Sequence, residues 1–277
     1  MSSRGPTTRT KVEVLDGDRV SRREDVLATE EPLELRLAWP GHRAEPLAVT
    51  MRTPGSDFEL AAGFCHAEGL IGAAGLDTVA YCNDALLTPD QRFNTVTVTL
   101  AGPPAREPAQ RYGVTSSACG VCGQQSLDEL AERAYPPVDE TLTIDAGVVR
   151  RLPDLLRDAQ PGFARTGGLH AAGLFGANGE PVAVREDIGR HNAVDKVVGW
   201  TVLTGRPRTG LALVVSGRAG YEIVQKAVAA GIGLVVAVGA PSSLAVDVAR
   251  RFGVSVAGFA RGDRCVVYSR PERILRA

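Results

Sequence analysis

The second half of the chain alternates between short apolar runs and amphipathic segments. Continuous Leu and Val runs predict buried strands, and segments with an apolar period near 3.6 predict helices. The expected elements are helix 192–203, strand 211–215, helix 221–230, strand 234–238, helix 243–252 and strand 254–259. Apolar strands separated by helices are typical of parallel strands covered on both faces. We therefore predict an α/β layered region in this half.

Two further apolar runs, at 169–175 and 181–184, precede this alternation and flank Asn178-Gly179. An Asn-Gly pair between strand-like runs is a hairpin signature, because both residues tolerate positive φ. The sequence therefore predicts an antiparallel hairpin ahead of the alternating elements.

The first half of the chain has a more mixed pattern. Residues 1–30 are rich in charge and poor in bulky apolar side chains, which favours a flexible or peripheral arm over core. A short strand from Leu47, a helix over 57–69 and a strand over 96–100 predict a smaller α+β region. Pro136-Pro137 marks a candidate domain boundary. The expected organisation is an arm (1–30), an N-terminal domain ending in a cysteine loop (31–135) and a C-terminal α/β domain (136–277).

The charge balance and the lengths of the apolar runs argue against a nucleic-acid-binding, secreted or membrane-spanning protein. The 277 residues include 31 basic and 32 acidic side chains, with a formal net charge of -1, so no overall field attracts nucleic acid or an anionic membrane. Residues 1–30 lack the apolar region of a secretory signal, and the longest apolar run, 227–240, is shorter than the ~20 residues of a membrane span. We expect a cytoplasmic protein whose five cysteines are reduced thiols.

Two of these cysteines, Cys119 and Cys122, form a C-x-x-C pair with a glycine after each cysteine. The glycines permit an exposed turn, and Ser126 with Glu129 is typical of a capping box that opens a helix just beyond it. The positive end of a helix dipole favours the thiolate, which is the form that attacks sulfur or binds metal. A C-x-x-C pair alone suits a redox dithiol, half of a zinc site or a persulfide carrier.

Small and polar residues follow each of the three predicted parallel strands. Ligands of open α/β sheets usually bind beyond the C-terminal strand ends. Glycine, serine and arginine at these ends suit phosphate, although the chain has neither a P-loop nor a G-x-G-x-x-G fingerprint. The sequence therefore predicts a phosphate-binding edge of another geometry. Its segments are Ser216-Gly217-Arg218, Gly239-Ala240-Pro241-Ser242 and Ala260-Arg261-Gly262-Asp263-Arg264.

A dense polar block, 185–196, spans the end of a strand and the start of a helix. A helix cap at His191 or Asn192 explains part of it structurally. Arginine, histidine and lysine side chains beside a helix N-terminus also suit phosphate or pyrophosphate, and Asp187 suits a guanine edge or the orientation of Arg190. Both interpretations of the block stay open at this point.

The pair His66 and Glu68 supports a competing hypothesis. Zinc nucleobase deaminases combine H-x-E with P-C-x-x-C. Here Ala118 stands in place of the proline, and His66 falls late in a predicted helix. Deaminase chemistry therefore ranks below sulfur chemistry, and a thiol-disulfide oxidoreductase is a further alternative.

The remaining cysteines and His170 are interpreted as structural. Cys65, Cys82 and Cys265 have no partner at metal or redox spacing, and small buried hydrophobes are the ordinary role of such cysteines. His170 follows a Gly-Gly turn and enters a strand, where a hydrogen-bonded structural histidine is more common than a catalyst.

The order of several motifs resembles the formate dehydrogenase accessory sulfurtransferase family, FdhD, from about Met51 to Tyr268. The block from Glu186 to Lys196 is the most specific part of this resemblance. The other matching stretches are Met51-Arg52-Thr53-Pro54-Gly55, Gly63-Phe64 with Glu68-Gly69, Cys119-Gly120-Val121-Cys122-Gly123, Thr166-Gly167-Gly168 with His170-Ala171-Ala172, Ser216-Gly217-Arg218, and Ala240-Pro241 with Leu244-Ala245-Val246.

The resemblance implies a cytoplasmic sulfurtransferase that takes sulfane sulfur from a cysteine desulfurase. The sulfur would pass to a molybdenum bis(molybdopterin guanine dinucleotide) cofactor, which serves formate dehydrogenase. The resemblance also implies a homodimer, no permanently bound metal, and a C-terminal domain with the layered fold of cytidine deaminases.

The same resemblance assigns roles to residues of this chain. Cys119 is expected to carry the persulfide, and Cys122 to assist release or tune its neighbour. Cofactor contacts are expected from the segment Phe259, Ala260, Arg261, Gly262, Asp263 and Arg264, with Arg190, His191, Lys196 and Arg218 in second rank.

Overall fold

The computed structural model describes residues 5–82, 88–108, 130–133 and 135–276. The elements of its first half are β1 (Thr7–Asp16), β2 (Arg19–Ala28), β3 (Glu31–Trp39), β4 (His42–Arg52), α1 (Asp57–Ala67), β5 (Leu76–Tyr81), α2 (Pro89–Phe93) and β6 (Thr95–Leu100). Those of its second half are β7 (Ile144–Asp145), α3 (Ala146–Asp158), α4 (Pro161–Thr166), β8 (His170–Phe175), β9 (Pro181–Asp187), α5 (Arg190–Thr204), β10 (Ala212–Val215), α6 (Tyr221–Ala229), β11 (Leu234–Ala237), α7 (Ser243–Phe252), β12 (Ser255–Arg261), β13 (Arg264–Ser269) and β14 (Ile274–Leu275). Within these ranges, we find no helix that combines the length and the apolar character needed to cross a bilayer.

A four-stranded sheet forms the core of the first half, in the order β4-β3-β6-β5. Strands β3 and β6 run parallel, and the other two pairs are antiparallel. Alternate side chains of a strand point to the same face, so Leu33, Leu35 and Leu37 are buried together with Val96. Helix α1 covers this face and adds Leu60 to the cluster.

The N-terminal arm contains regular structure. Strands β1 and β2 pair antiparallel over their whole length, from Thr7 opposite Ala28 to Asp16 opposite Arg19. Most of their side chains are exposed, and cross-strand pairs such as Arg22 with Glu13 lie on the surface. The arm predicted over 1–30 therefore includes a ladder of backbone hydrogen bonds, which its charge-rich composition did not indicate.

A six-stranded mixed sheet, in the order β13-β12-β11-β10-β8-β9, organises the second half. Strands β10, β11 and β12 are parallel, whereas β8, β9 and β13 extend the sheet with antiparallel pairs. Alternate residues of β10 enter two different cores: Val214 packs under α3 with Leu152, and Leu213 packs with Val194 of α5 and Val224 of α6. Helices thus cover both faces. The predicted α/β class, the strand and helix alternation and the 178–179 hairpin are confirmed.

The two halves meet where helix α1 crosses helix α5 at very close range. A Cβ atom placed on Gly63 would lie 1.9 Å from the backbone oxygen of Asp195, and one on Gly199 would lie 1.8 Å from that of Glu59. No side chain fits at either position, since real Cβ atoms do not approach backbone so closely. The two glycines therefore let the helix backbones touch and set the position of α1 against the large sheet.

Candidate functional site

The three predicted phosphate segments lie side by side at one edge of the large sheet. The backbone N–H of Gly239 donates to Gly217 O at 3.0 Å, and the N–H of Phe259 donates to Gly239 O at 3.1 Å. These bonds join the ends of β10, β11 and β12, because parallel strands present their carboxyl ends at the same edge. We call residues 216–218, 239–242 and 259–264 together the strand-end rim.

Backbone geometry keeps the rim open. Phe259 has a φ of 49°, in the left-handed region, and its side chain is 46% exposed. A side chain at Gly239 would be crowded, because a Cβ there would lie 3.0 Å from Arg218 Cγ and 3.2 Å from Gly217 O. The rim thus combines an exposed phenylalanine in a strained backbone conformation with a glycine, Gly239, that leaves the main chain uncovered. Both features are of the kind found where a ligand approaches the main chain.

The end of the rim carries two cations on one turn. Arg261 and Arg264 pair across the β12–β13 hairpin, with Gly262 and Asp263 between them, and all four residues are exposed. Among the described residues, neither guanidinium forms an ion pair with a carboxylate. The predicted cofactor segment therefore presents two arginines and one carboxylate to solvent, none of them in an ion pair with a residue that the structure describes.

Of the second-rank candidates, Arg218 and Arg190 lie at the rim. Arg218 is exposed, and a Cβ placed on Gly217 would lie 3.8 Å from Arg190 Cδ and 3.5 Å from His170 Nδ1. His191 lies nearby, but its Nε2 is 3.0 Å from Glu222 Oε2 on α6. Two arginines, Arg190 at the start of α5 and Arg218 just after β10, therefore lie at the end of β10.

Lys196 does not face the rim. Its side chain is 2% exposed, its Nζ lies 2.7 Å from Asp187 Oδ2, and it also donates to the carbonyl oxygen of Thr53 at 3.0 Å. Asp187 is fully buried and accepts further hydrogen bonds from Thr53 N at 3.1 Å and Asn192 Nδ2 at 3.0 Å. We call Thr53, Asp187, Asn192 and Lys196 the buried clasp. It joins the first half of the chain to β9 and α5, so in this arrangement Lys196 and Asp187 contact protein groups.

A second buried ion pair supports the clasp from the first half. Arg52 is 2% exposed and forms a bidentate pair with Asp57, with Nε–Oδ1 and Nη2–Oδ2 distances of 3.1 and 3.0 Å. Tyr81 also donates to Asp57, and burial together with this carboxylate raises the pKa of Tyr81 to about 12. Asp57 had no chemical signal in the sequence beyond its place at a helix start. The motif 51–55 thus has an evident structural role.

His170 lies at the start of β8, where the rim meets the rest of the sheet. Burial, reinforced by the nearby Arg190 and His191, lowers the pKa of His170 below its usual range, so its imidazole is neutral at pH 7. Its neighbour Ser216 accepts a hydrogen bond from Ala171 N at 2.9 Å. Within the described residues its imidazole makes no hydrogen bond to a protein group, so the structural role expected for His170 stays a prediction.

A cleft of about 360 Å³ opens beside the rim. Arg157 and Gln160 from the end of α3, Phe163 of α4, His170 and Ser216 line it. Sequence reasoning did not identify the first three. They are more than 50 residues from Ser216 in the chain, and the packing of α3 against β8, with α4 following α3, brings them to it.

Cys119 and Cys122 lie outside the described residues. The described residues on either side of their segment attach to the same end of α1: Arg106 donates to Glu68 O at 3.3 Å, and Tyr135 donates to Ala67 O at 2.5 Å. Arg133 lies at the same end of α1, with its Nη1 3.5 Å from Glu68 Oε2.

The other three cysteines are free thiols. Cys65 is fully buried, and burial, followed by Glu68 and Asp195, raises the pKa of its thiol far above the usual range. The structural interpretation of Cys65 is therefore confirmed. Cys82 and Cys265 are partly buried, and Arg36 lies 3.8 Å from the Cys82 sulfur.

His66, the histidine of the H-x-E pair, points into the interior. Burial, together with Arg208, lowers its pKa to about 4, and a backbone hydrogen bond with Ala229 opposes this shift. In the part of the chain that the structure describes, no three His, Cys, Asp or Glu side chains form a group suited to a metal ion.

Comparisons with known proteins agree with this architecture. Residues 28–275 match the model of the FdhD/NarQ family. Proteins named sulfur carrier protein FdhD from Mycobacterium tuberculosis and Nocardia farcinica are 46% and 49% identical over 277 and 257 residues, covering 97% and 91% of this chain and 98% and 89% of theirs.

A crystal structure from Desulfotalea psychrophila, described as a formate dehydrogenase accessory protein, shares the fold. Its TM-score is 0.72 at 23% sequence identity, over 97% of this chain and 99% of that chain. The resemblance that the sequence motifs indicated is thus confirmed over nearly the whole length. By the family model and by its full-length relatives, the chain belongs to the FdhD/NarQ family.

Proposed function

We propose that this protein is a sulfur carrier that acts as a sulfurtransferase. It accepts sulfane sulfur from a cysteine desulfurase, holds it as a cysteine persulfide and passes it to the molybdenum bis(molybdopterin guanine dinucleotide) cofactor of a formate dehydrogenase. The observation that carries this proposal is the similarity, over 97% of the chain, to proteins named sulfur carrier protein FdhD. The molybdenum cofactor is the substrate of the transfer, and the proposal includes no resident metal.

Cys119 is the proposed persulfide carrier. Its thiolate attacks the outer sulfur of the donor persulfide, the S–S bond of the donor breaks, and the donor cysteine leaves as a thiolate. In the release step, the Cys122 thiolate attacks the inner sulfur, forms a disulfide with Cys119 and expels the outer sulfur as sulfide. Oxidation of the two cysteine sulfurs to the disulfide supplies the two electrons that reduce the sulfane sulfur to sulfide. A thiol reductant must then reopen the disulfide.

The strand-end rim is the proposed cofactor surface. Its exposed Arg261, Arg264 and Arg218 suit the phosphates of a guanine dinucleotide, and the Asp263 carboxylate suits the donor edge of guanine. Guanidinium groups without an ion-pair partner support this role, since all of their N–H donors are available to a ligand. Lys196 takes a positioning role here, because its ammonium holds Asp187 inside the clasp.

The same proposal includes the location, oligomeric state, partners and fold of the protein. We place the protein in the cytoplasm as a homodimer that meets a cysteine desulfurase and a formate dehydrogenase in turn. The C-terminal half takes the layered arrangement of cytidine deaminases. Helices on both faces of its central sheet support this assignment of the fold.

Intact-protein mass spectrometry tests the sulfur step. The protein is incubated with a cysteine desulfurase and cysteine, and wild type is compared with Cys119→Ala and Cys122→Ala. We expect an adduct of one sulfur mass on wild type and on Cys122→Ala, and no adduct on Cys119→Ala. Cys65→Ala is the matched control, because that thiol is buried and protonated.

Absence of the adduct from wild type overturns the proposal. An adduct that persists in Cys119→Ala but disappears in Cys122→Ala reverses the roles of the two cysteines. Formate dehydrogenase activity in cells that carry each variant checks whether the loaded sulfur reaches the enzyme.

A further inference from the structure

The chain on either side of Cys119 and Cys122 is attached to different halves of the fold. We call residues 109–129, which contain both cysteines, the cysteine segment. Before it, the backbone N–H of Ala105 donates to Leu70 O at 3.1 Å, in the turn that follows α1. After it, Leu130 is 1% exposed and belongs to the core cluster of α5 and α6. The two flanks of the cysteine segment are therefore both fixed to folded parts of the protein.

Both flanks also bind the carboxyl end of helix α1. Arg106, on the first flank, donates to Glu68 O at 3.3 Å, and Tyr135, on the second, donates to Ala67 O at 2.5 Å. Ala67 is the last residue of α1 and Glu68 is its C-cap. The last carbonyl groups of a helix have no partner within the helix. Side chains from the two flanks supply donors to these carbonyls.

Gly69 brings the two flanks to one place. Its φ of 69° lies in the left-handed region, which ends the helix there. A Cβ placed on Gly69 would lie 3.6 Å from Tyr135 Cε1 and 3.7 Å from Arg106 Cδ. One residue thus contacts both flanks, and the chain enters and leaves the cysteine segment beside the same end of α1.

The side chain of Glu68 adds an ion pair with little access to solvent. Its Oε2 lies 3.5 Å from Arg133 Nη1, and the two side chains are 13% and 12% exposed. Arg133 also donates to the Tyr135 hydroxyl at 3.2 Å. Salt screens such a pair much less than a surface pair. We call Glu68, Gly69, Arg106, Arg133 and Tyr135 the α1 anchor.

The α1 anchor rests on a rigid support. One turn earlier in α1, Gly63 touches the backbone of Asp195 on α5, with no room for a Cβ. Asp195 forms a buried ion pair with Lys226 of α6, with distances from Nζ to the two carboxylate oxygens of 2.7 and 2.9 Å. Burial raises the pKa of Asp195, Lys226 opposes this shift, and the Glu68 carboxylate adds to it. Glu68 therefore lies close to a packed junction of three helices.

We propose that Glu68 is a positioning residue for sulfur loading, acting through the α1 anchor. The anchor holds both ends of the cysteine segment at one helix end, which limits the positions open to the Cys119 thiol. A confined nucleophile has a higher effective concentration at a docked partner. Glu68 takes no part in bond making. The inference rests on the proposed function, because the role of Cys119 comes from it.

Single-turnover loading separates positioning from docking and from stability. A cysteine desulfurase is charged with one equivalent of cysteine and mixed with increasing excess of the protein, and mass spectrometry follows the persulfide. Glu68→Gln breaks the pair with Arg133. Glu132→Gln is the matched control, since Glu132 is an exposed carboxylate beside Arg133. We expect Glu68→Gln to lower the maximal rate about tenfold and to keep the half-saturating concentration within about twofold of wild type.

Arg106→Met tests the other flank and serves if Glu68→Gln does not fold. Circular dichroism establishes which variants are folded at the assay temperature. We expect Arg106→Met to lower the maximal rate as Glu68→Gln does, and Glu132→Gln to load as wild type.

A distance measurement tests the anchor without sulfur chemistry. Spin labels are placed on Cys119 and on Asp154→Cys, at an exposed position of α3, in a protein that also carries Cys82→Ser, Cys122→Ser and Cys265→Ser. Cys65 is fully buried and stays unlabelled. We expect Glu68→Gln to widen the distribution of distances about twofold, because one attachment of the segment is lost.

The outcomes separate the anchor from the proposed function. If wild type, Glu68→Gln and Arg106→Met load with the same kinetics, the anchor proposal is wrong and the proposed function stands. If Glu68→Gln raises the half-saturating concentration at an unchanged maximal rate, Glu68 belongs to a docking surface and the positioning role is overturned. If wild type takes up no sulfur while Glu68→Gln widens the distance distribution, the proposed function fails and the anchor remains the element that positions Cys119.

Discussion

The buried clasp and the strand-end rim contain the same types of residue in opposite surroundings. In the clasp, Lys196 and Asp187 are almost fully buried and bonded to each other and to backbone. In the rim, Arg261, Asp263 and Arg264 are exposed and form no ion pair with described residues. A buried charge needs a partner because it has lost its hydration, whereas an exposed charge is solvated by water and stays available to a ligand. Burial, more than residue type, therefore decides whether a polar motif holds the fold or binds.

The largest expected effect is on the clasp. Lys196→Met leaves Asp187 as an unpaired buried carboxylate, and we expect the free energy of unfolding to fall by about 3–5 kcal/mol. Urea denaturation measures this. Arg264→Met is the matched loss of a cation from the rim, and equal destabilisation by both variants would abolish the distinction between the two regions.

The next largest expected effect is a loss of stability at low pH. It arises from His66, which lies in α1 and points into the interior. The pKa of His66 falls from 6.5 to about 4 on folding, so between these values the unfolded state binds the extra proton. The free energy of unfolding should therefore decrease as the pH falls through this window, by up to about 3 kcal/mol. Urea denaturation as a function of pH should show a flatter slope for His66→Gln. His42→Gln, at an exposed histidine, should keep the slope of wild type.

The glycine contact between α1 and α5 sharpens the comparison further. A methyl group on Gly199 meets the backbone oxygen of Glu59 at 1.8 Å, so Gly199→Ala must push the helices apart. We expect a loss of about 1–3 kcal/mol in the free energy of unfolding. Gly72→Ala is the control, because its methyl group would find ordinary contacts at 3.5 Å. If both variants melt at the same temperature, the close helix contact does not stabilise the protein.

The smallest expected effect on stability is at the rim. Arg264→Gln removes an exposed charge, and we expect the free energy of unfolding to change by less than about 0.5 kcal/mol. Its binding of GDP should weaken severalfold, because the rim is the proposed phosphate surface. Calorimetry and denaturation of the same preparation give both numbers. A large loss of stability with unchanged binding would assign Arg264 to the fold.

Periodicity predicted the second half of the chain well because each of its elements has a strong local pattern. The alternating helices and strands between Asn192 and Phe259 and the hairpin at Asn178-Gly179 are present within a few residues of their predicted bounds. The hairpin β1–β2 was not predicted, since its stability comes from cross-strand pairing and its composition resembles an arm. Strand β3 was also missed, although its partner β4 begins only three residues after β3 ends; its other partner, β6, is distant in sequence.

The candidate site was only partly predictable for the same reason. The rim segments could be predicted because the carboxyl ends of parallel strands lie at the same edge of a sheet, and this does not depend on how the side chains pack. Lys196 was grouped with ligand-binding cations because a sequence does not record which side of a helix is desolvated. Arg157 and Gln160 had no local signal at all.

The sequence alone determined the α/β class, the strand-end rim and the family motifs, because these depend on local periodicity, turn chemistry and residue order. The tertiary structure decided which charges are buried in the clasp, how closely α1 approaches α5, and which residues of α3 face Ser216. Those features depend on contacts between segments far apart in the chain, where burial changes the free energy of a charge and a single missing Cβ sets the distance between helices.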